Sequence, residues 1–148
     1  MTRTYRVGWA TRGINGGYAW LTRRGVGAAY RHILTVRGRR SGQPRSTPVD
    51  VMVLDGERYL VAPYGVVAWV HNLRASGELE LSRGRIREKL NAVELQPFPA
   101  VPVIRRYIRD VPVTRPYWEV GVDASDAEIA AIVPKHPVFQ LVPPDPAA

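Results

Sequence analysis

The chain has 148 residues, of which 45% are hydrophobic, and its 21 Lys and Arg against 13 Asp and Glu give a formal net charge of +8. This length suits one domain with a real core, and no apolar run approaches the roughly 18 residues that span a bilayer. The chain contains no cysteine, which excludes disulfides, thiolate metal sites and cysteine nucleophiles. We find no secretory signal pattern at the N-terminus and expect a cytoplasmic protein.

The positive charge is concentrated in the first third of the chain. Residues 1–49 contain ten arginines and no Asp or Glu, whereas the remainder has a small excess of acids. Such an asymmetry favours an anionic partner, namely a phosphorylated cofactor, nucleic acid or an acidic membrane surface. A codon-biased genome is the alternative explanation, because arginine outnumbers lysine 19 to 2.

The first predicted elements are strands. Glycines weaken any helix within residues 1–30. Two runs rich in β-branched residues, 33–36 and 49–54, are typical of strands. Asp55-Gly56 then predicts a tight hairpin that leads into a strand at 57–62.

A short helix and a second hairpin follow. Four apolar residues at helical spacing predict a helix whose other side carries Asn72. These four residues are Val66, Trp69, Val70 and Leu73. Strands are predicted at 78–82 and 85–95, with a bulge near Asn91-Ala92 because the apolar parity changes there.

The C-terminal part predicts two more helices and a last strand. One helix covers 101–111 and stops at Pro112, and a second begins at a capping box whose first residue is Ser125. The last strand is expected at 138–142. Antiparallel strands joined by hairpins, with a few helices, predict a mainly β (α+β) protein: a closed or nearly closed barrel with peripheral helices.

The connection between the first two strands is the strongest candidate for a binding site. Residues 37–48 concentrate glycine, serine, proline and four arginines. Glycine lets the backbone approach a ligand, and guanidinium groups match the geometry of phosphate and carboxylate. We therefore predict an anion-binding loop, with a solvated hairpin tip as the alternative.

Three motifs resemble one family. They are Gly38-Arg-Arg-Ser-Gly-x-x-Arg45-x-x-Pro48, Asp55-Gly56, and Trp69-x-x-Asn72-Leu73-Arg74-Ala75. In this order they resemble the deazaflavin (coenzyme F420)-dependent nitroreductase family, from about residue 33 to 95 and more loosely beyond. The resemblance implies a split β-barrel of the flavin-reductase and pyridoxamine-phosphate-oxidase-like type. It also implies a phosphorylated, polyglutamylated deazaflavin and hydride transfer to a quinone, nitro or enone-type acceptor.

The resemblance further implies the coenzyme contacts. The arginine-rich segment would hold the phosphate and the acidic tail, the segment around Pro48 would lie along the deazaflavin ring, and the short helix would complete the groove. The residues so implied are Arg39, Arg40, Ser41, Gly42, Arg45, Pro48, Val49, Trp69 and Asn72. Core packing is the alternative role of Trp69, and simple solvation is that of Asn72.

The chain departs from the family pattern at Pro63-Tyr64-Gly65, where many members have a serine-lysine-glycine type stretch. Because a proton must reach the reduced acceptor, Tyr64 beside the predicted groove is the first candidate catalytic residue. Tyr117 and Tyr107 are the other candidates, each with packing as its alternative role, and Trp118 is expected to stack on a planar substrate. The three histidines are far apart in sequence, so no metal site is expected, and His136 is interpreted as a turn residue.

We expect one domain over residues 1–148, with an arginine-rich extension at 1–30, a split-barrel core at 31–142 and a tail at 143–148. The first functional hypothesis is an F420H2-dependent reductase with a small-molecule electron acceptor and no nucleic acid partner. A non-catalytic F420-binding or carrier protein, an FMN-binding split-barrel reductase and a basic domain that binds nucleic acid or membrane stay open. A peripheral membrane contact through residues 1–30 and a homodimer also stay open.

Overall fold

The computed structural model describes residues 31–144 of the chain. The expectations for the arginine-rich extension, including its membrane contact, and for residues 145–148 lie outside the described residues. Within residues 31–144, no helix is both long and apolar enough to cross a membrane.

Strands dominate the described part of the chain. They are β1 (Arg31–Arg37), β2 (Pro44–Leu54), β3 (Glu57–Val61), β4 (Glu78–Arg83), β5 (Ile86–Glu94) and β6 (Val138–Val142). The α-helices are α1 (Ala68–Ser76), α2 (Pro97–Asp110) and α3 (Asp126–Ile132). Two 3-10 helices, Pro112–Tyr117 and Val133–Lys135, precede and follow α3.

The six strands close into an antiparallel barrel in the order β1-β2-β3-β6-β5-β4. The β1–β4 ladder, in which Ile33 lies opposite Ser82, completes the circle. Closure gives each of the six described strands a partner on both sides, so none of them has a free edge. The predicted barrel with peripheral helices is confirmed.

The barrel separates two apolar cores, because successive side chains along a strand point to opposite faces. The inner core fills the barrel with residues from all six strands and from α1, including Val51, Leu60 and Phe139. The outer core lies between the barrel wall and helices α2 and α3, and includes Met52 and Ile104. Each fully buried aliphatic side chain contributes about 1.5–3 kcal/mol.

Two predictions about elements are wrong. Helix α1 begins at Ala68, so Val66 precedes it, is exposed, and is not part of the apolar stripe. The predicted bulge in β5 is absent, since its ladders with β4 and β6 both run without an inserted residue. Strand β5 changes partner at Asn91 and leaves Val93 exposed, which accounts for the change of apolar parity.

Candidate active site

The loop between β1 and β2 is a closed turn built around two glycines. The Gly38 N–H donates to the Gln43 carbonyl at 2.8 Å, and the Gly42 N–H donates to the Gly38 carbonyl at 2.9 Å. Gly42 has a φ of +73°, a left-handed conformation that favours glycine. A Cβ on Gly38 would lie 3.0 Å from Ser41 Oγ. The turn therefore leaves little room for a larger residue at Gly38.

Asn72 anchors this loop to helix α1. Its Oδ1 accepts hydrogen bonds from the Arg39 backbone N–H at 3.0 Å and from Arg39 Nη1 at 2.8 Å. Asn72 lines the cavity, as predicted, and is only 4% exposed, so the alternative of simple solvation is wrong. The side chain faces inward because Arg39, supplied by a distant part of the chain, satisfies its oxygen.

A cavity of about 760 Å³ lies between this loop, α1 and the 3-10 helix Pro112–Tyr117. This volume is in the range of small-molecule and cofactor sites. Most of the predicted coenzyme residues line it, and these are Arg39, Arg40, Ser41, Arg45, Pro48, Val49, Trp69 and Asn72. Gly42 is not in the lining; its part in the loop is conformational.

The part of the cavity wall formed by the β1–β2 loop and the start of β2 is strongly basic, with Arg39 and Arg40 in the loop and Arg45 in β2. Within residues 31–144, Arg39, Arg40 and Arg45 form no ion pair with any Asp or Glu. The carboxylate in the cavity wall, Asp50, is paired with Arg31. Three guanidinium groups without carboxylate partners beside one cavity favour an anionic ligand.

Two tyrosines, called the rim tyrosines below, also line the cavity. Tyr64, in the segment after β3, and Tyr117, at the end of the 3-10 helix, pack edge to face with ring centroids 4.9 Å apart. Tyr107 also contributes to the lining. The structure thus brings the three predicted tyrosines to one cavity.

Trp118 follows Tyr117 directly in the chain. It is buried and outside the cavity lining, and its Nε1 donates to Thr114 Oγ1 at 3.1 Å. The predicted stacking of Trp118 on a planar substrate is therefore wrong. The indole packs against the protein instead.

The interpretation of His136 as a simple turn residue is incomplete. Its ring is buried, stacks on the Trp118 ring with centroids 4.1 Å apart, and donates from Nδ1 to the Ala62 carbonyl at 2.9 Å. Burial lowers the pKa of His136 below its ordinary value. Within residues 31–144, no cluster of His, Asp or Glu could hold a metal ion. Nothing in the local sequence indicated these two contacts, because Trp118 and Ala62 are both distant from His136 along the chain.

The lining residues fit a ligand that combines an anionic chain with a flat ring. Arg39, Arg40 and Arg45 supply the charge, while Pro48 and Trp69 supply apolar surface in the same cavity. A phosphorylated deazaflavin has both parts. Its anionic groups match the loop, and its ring system matches the apolar wall.

Solved structures share the fold at low sequence identity. An F420-H2 dependent reductase, FDR-A, is 18% identical with a TM-score of 0.53, over 79% of this chain and 99% of that one. A NimC/NimA family protein from Clostridium acetobutylicum is 16% identical with a TM-score of 0.52, over 81% and 75%. A structure described as a domain-swapped dimer is 19% identical with a TM-score of 0.57, over 90% and 96%. These likenesses confirm the expected split-barrel fold.

A comparison with curated proteins finds no match. The model of one protein family, described as F420H(2)-dependent quinone reductase, matches residues 10–133. This match covers most of the chain, including the β1–β2 loop, α1, Tyr64 and Tyr117. The chain belongs to the F420H(2)-dependent quinone reductase family, and it is an F420H2-dependent reductase whose coenzyme is F420.

Proposed function

We propose that this enzyme reduces a quinone, nitro or enone-type acceptor in the cavity between the β1–β2 loop and the 3-10 helix Pro112–Tyr117. The observation that carries the proposal is the composition of this cavity. Within residues 31–144, the lining arginines Arg39, Arg40 and Arg45 have no carboxylate partner, and the same lining contains a packed tyrosine pair. A coenzyme bound between them has its anionic chain at the loop and an acceptor site at the tyrosines.

The β1–β2 loop and the start of β2 are assigned to the coenzyme's phosphate and acidic tail. Arg39, Arg40 and Arg45 are exposed, so each close ion pair is worth about 1 kcal/mol in water and more where the ligand excludes solvent. Exposed pairs of this kind are screened by salt. Coenzyme affinity should therefore fall as ionic strength rises.

The deazaflavin ring is assigned to the wall formed by Pro48, Val49 and Trp69. Helix α1 begins at Ala68, which lines the same cavity. The amino end of a helix favours anions by roughly 0.3–1 kcal/mol. The assignment thus places both apolar contact and a favourable dipole beside the coenzyme.

The bound reduced coenzyme supplies the hydride, and the protein supplies position and a proton. Tyr64 and Tyr117 are the proposed proton donors, because both line the cavity and their rings hold one another in place. A tyrosine hydroxyl is both a hydrogen-bond donor and a general acid. Tyr64 is the first choice, since it lies directly beyond the strand that borders the groove.

We also propose a homodimer, because a structure of the same fold is described as a domain-swapped dimer. Sedimentation velocity on the full chain tests this. A mass of twice 16.5 kDa supports the proposal, and a mass equal to one chain contradicts it.

Turnover tests the proposed classes of electron acceptor. Under anaerobic conditions, protein with reduced F420 is mixed with menadione, a nitroaromatic compound or a cyclic enone, and the visible absorption of oxidised deazaflavin is followed. We expect reoxidation with at least one acceptor. Tight coenzyme binding without reoxidation by any of these three compounds would contradict the proposed acceptor classes.

The basic loop is tested by titration of tryptophan fluorescence with F420, FMN and a DNA oligomer. Replacement of Arg39 and Arg40 together by alanine should weaken F420 binding at least about tenfold and flatten its dependence on salt. The matched control replaces Arg85 and Arg87, which are exposed near the β4–β5 turn and outside the cavity lining. Equal affinities of the two double variants would contradict the assignment of the loop.

A further inference from the structure

We propose that His136 is a positioning residue for the reaction, because its ring fixes both segments that carry the rim tyrosines. This inference rests on the proposed function, in which Tyr64 and Tyr117 face the acceptor. His136 is buried and lies outside the cavity lining, so it acts through these tyrosines.

The first contact of His136 holds the segment that leads to Tyr64. His136 Nδ1 donates to the Ala62 carbonyl at 2.9 Å, and the Ala62 N–H donates to the Pro137 carbonyl at 3.0 Å. Both backbone polar groups of Ala62 are therefore tied to the turn before β6. Because its ring fixes the φ torsion of Pro63, the backbone between Ala62 and Tyr64 has one free torsion fewer. The position of Ala62 therefore restricts that of Tyr64.

The second contact holds the segment that ends in Tyr117. The His136 ring stacks on Trp118, the next residue along the chain, with an angle of 29° between the ring planes. Trp118 Nε1 donates to Thr114 Oγ1, which itself donates to the Val111 carbonyl at 2.8 Å. The indole thus links the histidine to Thr114 within the 3-10 helix and, through Thr114, to Val111 just before the helix.

An ion pair joins the same two segments at the surface. Lys135 Nζ lies 2.7 Å from Glu119 Oε1, but both groups are largely exposed and such pairs contribute about 0–1 kcal/mol. The buried stack and the hydrogen bond to Ala62 are therefore the main constraints. The β1–β2 loop has a separate anchor, Asn72 on helix α1.

Two variants of His136 each remove one of its two contacts and keep the other. His136→Phe keeps an aromatic ring against Trp118 and loses the donor to Ala62. His136→Asn keeps an N–H donor and loses the stack. His71→Phe is the matched control, because His71 is exposed on α1 and outside the cavity lining.

The first readout needs no coenzyme. Protein that contains 3-fluorotyrosine is studied by fluorine NMR, with resonances assigned through Tyr→Phe variants. We expect the resonances of Tyr64 and Tyr117 to shift or broaden in both His136 variants. The resonance of Tyr59, on β3, and the spectrum of His71→Phe should stay as in the wild type. Unchanged rim resonances in both His136 variants would overturn the proposal.

The second readout separates positioning from general damage. We expect kcat/KM for the acceptor to fall at least about tenfold in both variants, while the Kd for F420 changes less than about twofold. A parallel loss of coenzyme affinity would overturn the proposal in favour of a purely structural role. Were the wild type to bind F420 and reduce no acceptor, the proposed function would fail and the NMR result would still decide the inference. Should both His136 variants fail to fold, Trp118→Phe, which loses the bond to Thr114, is judged by the same two readouts.

Discussion

Asn72 has one side-chain oxygen that serves two donors of Arg39, one on the backbone and one on the guanidinium group. We predict that Asn72→Ala lowers the free energy of unfolding by about 1–3 kcal/mol, because these donors lose a part-buried acceptor. The same change should weaken F420 binding, since the basic loop loses its anchor. Urea unfolding and fluorescence titration measure the two effects.

The control for this prediction is Asn72→Asp, which keeps an acceptor at the same place. Its stability should lie close to the wild-type value, whereas its carboxylate neutralises Arg39 and weakens coenzyme binding. A stable Asn72→Ala variant with normal coenzyme affinity would show that the anchor is unimportant.

Tyr64 is the residue whose proposed role is chemical. Tyr64→Phe should lower turnover with the acceptor about tenfold or more, because it removes the hydroxyl and keeps the ring contact with Tyr117. Coenzyme affinity should be retained. Stopped-flow mixing with menadione measures the rate, and Tyr59→Phe, outside the cavity lining, is the control. Full activity of Tyr64→Phe would remove this tyrosine as the donor.

At the residue scale, the candidate site residues that could be predicted are those that belong to short sequence motifs. The arginine-rich loop and the rim tyrosines were predicted because their chemistry is visible in short stretches of sequence. The inward orientation of Asn72 and the buried role of His136 were not. Their hydrogen bonds reach partners 33 and 74 positions away, and only the folded chain brings these groups together.

At the element scale, the β1–β2 loop depends on a left-handed residue. We predict that Gly42→Ala costs roughly 1–2 kcal/mol of stability, because a Cβ is disfavoured at a φ of +73°. Since the loop also presents the arginines, coenzyme affinity should fall as well. Thermal unfolding with and without F420 checks both effects.

Gly121→Ala is the matched control. A Cβ there would meet no atom within 4 Å, and Gly121 has no positive φ. This variant should keep wild-type stability and affinity. A Gly42→Ala variant that behaves like Gly121→Ala would mean that the loop tolerates another conformation.

Elements with local signals were predicted well. The Asp55-Gly56 hairpin and the capping box at Ser125 are both present, because short-range hydrogen bonds specify them. The predicted start of α1 was wrong because the spacing of apolar residues does not report the backbone conformation of the residues before the helix. Gly65 has a φ of +93° and Val67 is extended, so the helix cannot begin before Ala68.

At the scale of the whole molecule, the sequence indicated a barrel and left the strand order open. Strand β6 pairs with β3, where Leu141 lies opposite Arg58, and no local pattern announces such a distant partner. Only the sum of inner-core contacts, drawn from all six strands, selects this arrangement.

Global stability should depend on pH through His136. Burial lowers the pKa of the folded-state ring, so below about pH 6.5 the unfolded chain binds a proton that the folded chain resists. The free energy of unfolding should therefore fall as the pH drops through this region. Urea titrations between about pH 5 and 8 should show a shallower slope for His136→Asn, which cannot titrate. Identical slopes for the variant and the wild type would contradict this origin.

The residues that line the cavity come from two different parts of the fold. The arginines to which we assign the coenzyme belong to the β1–β2 hairpin of the barrel itself, whereas Tyr107, in the cavity lining, and Trp118, the neighbour of Tyr117, pack into the outer core with α2 and α3. On the proposed function, we therefore expect mutations in that helical layer to change the choice of electron acceptor more than the affinity for the coenzyme. Divergence within this lineage, and directed evolution in the laboratory, should accumulate on the helical side.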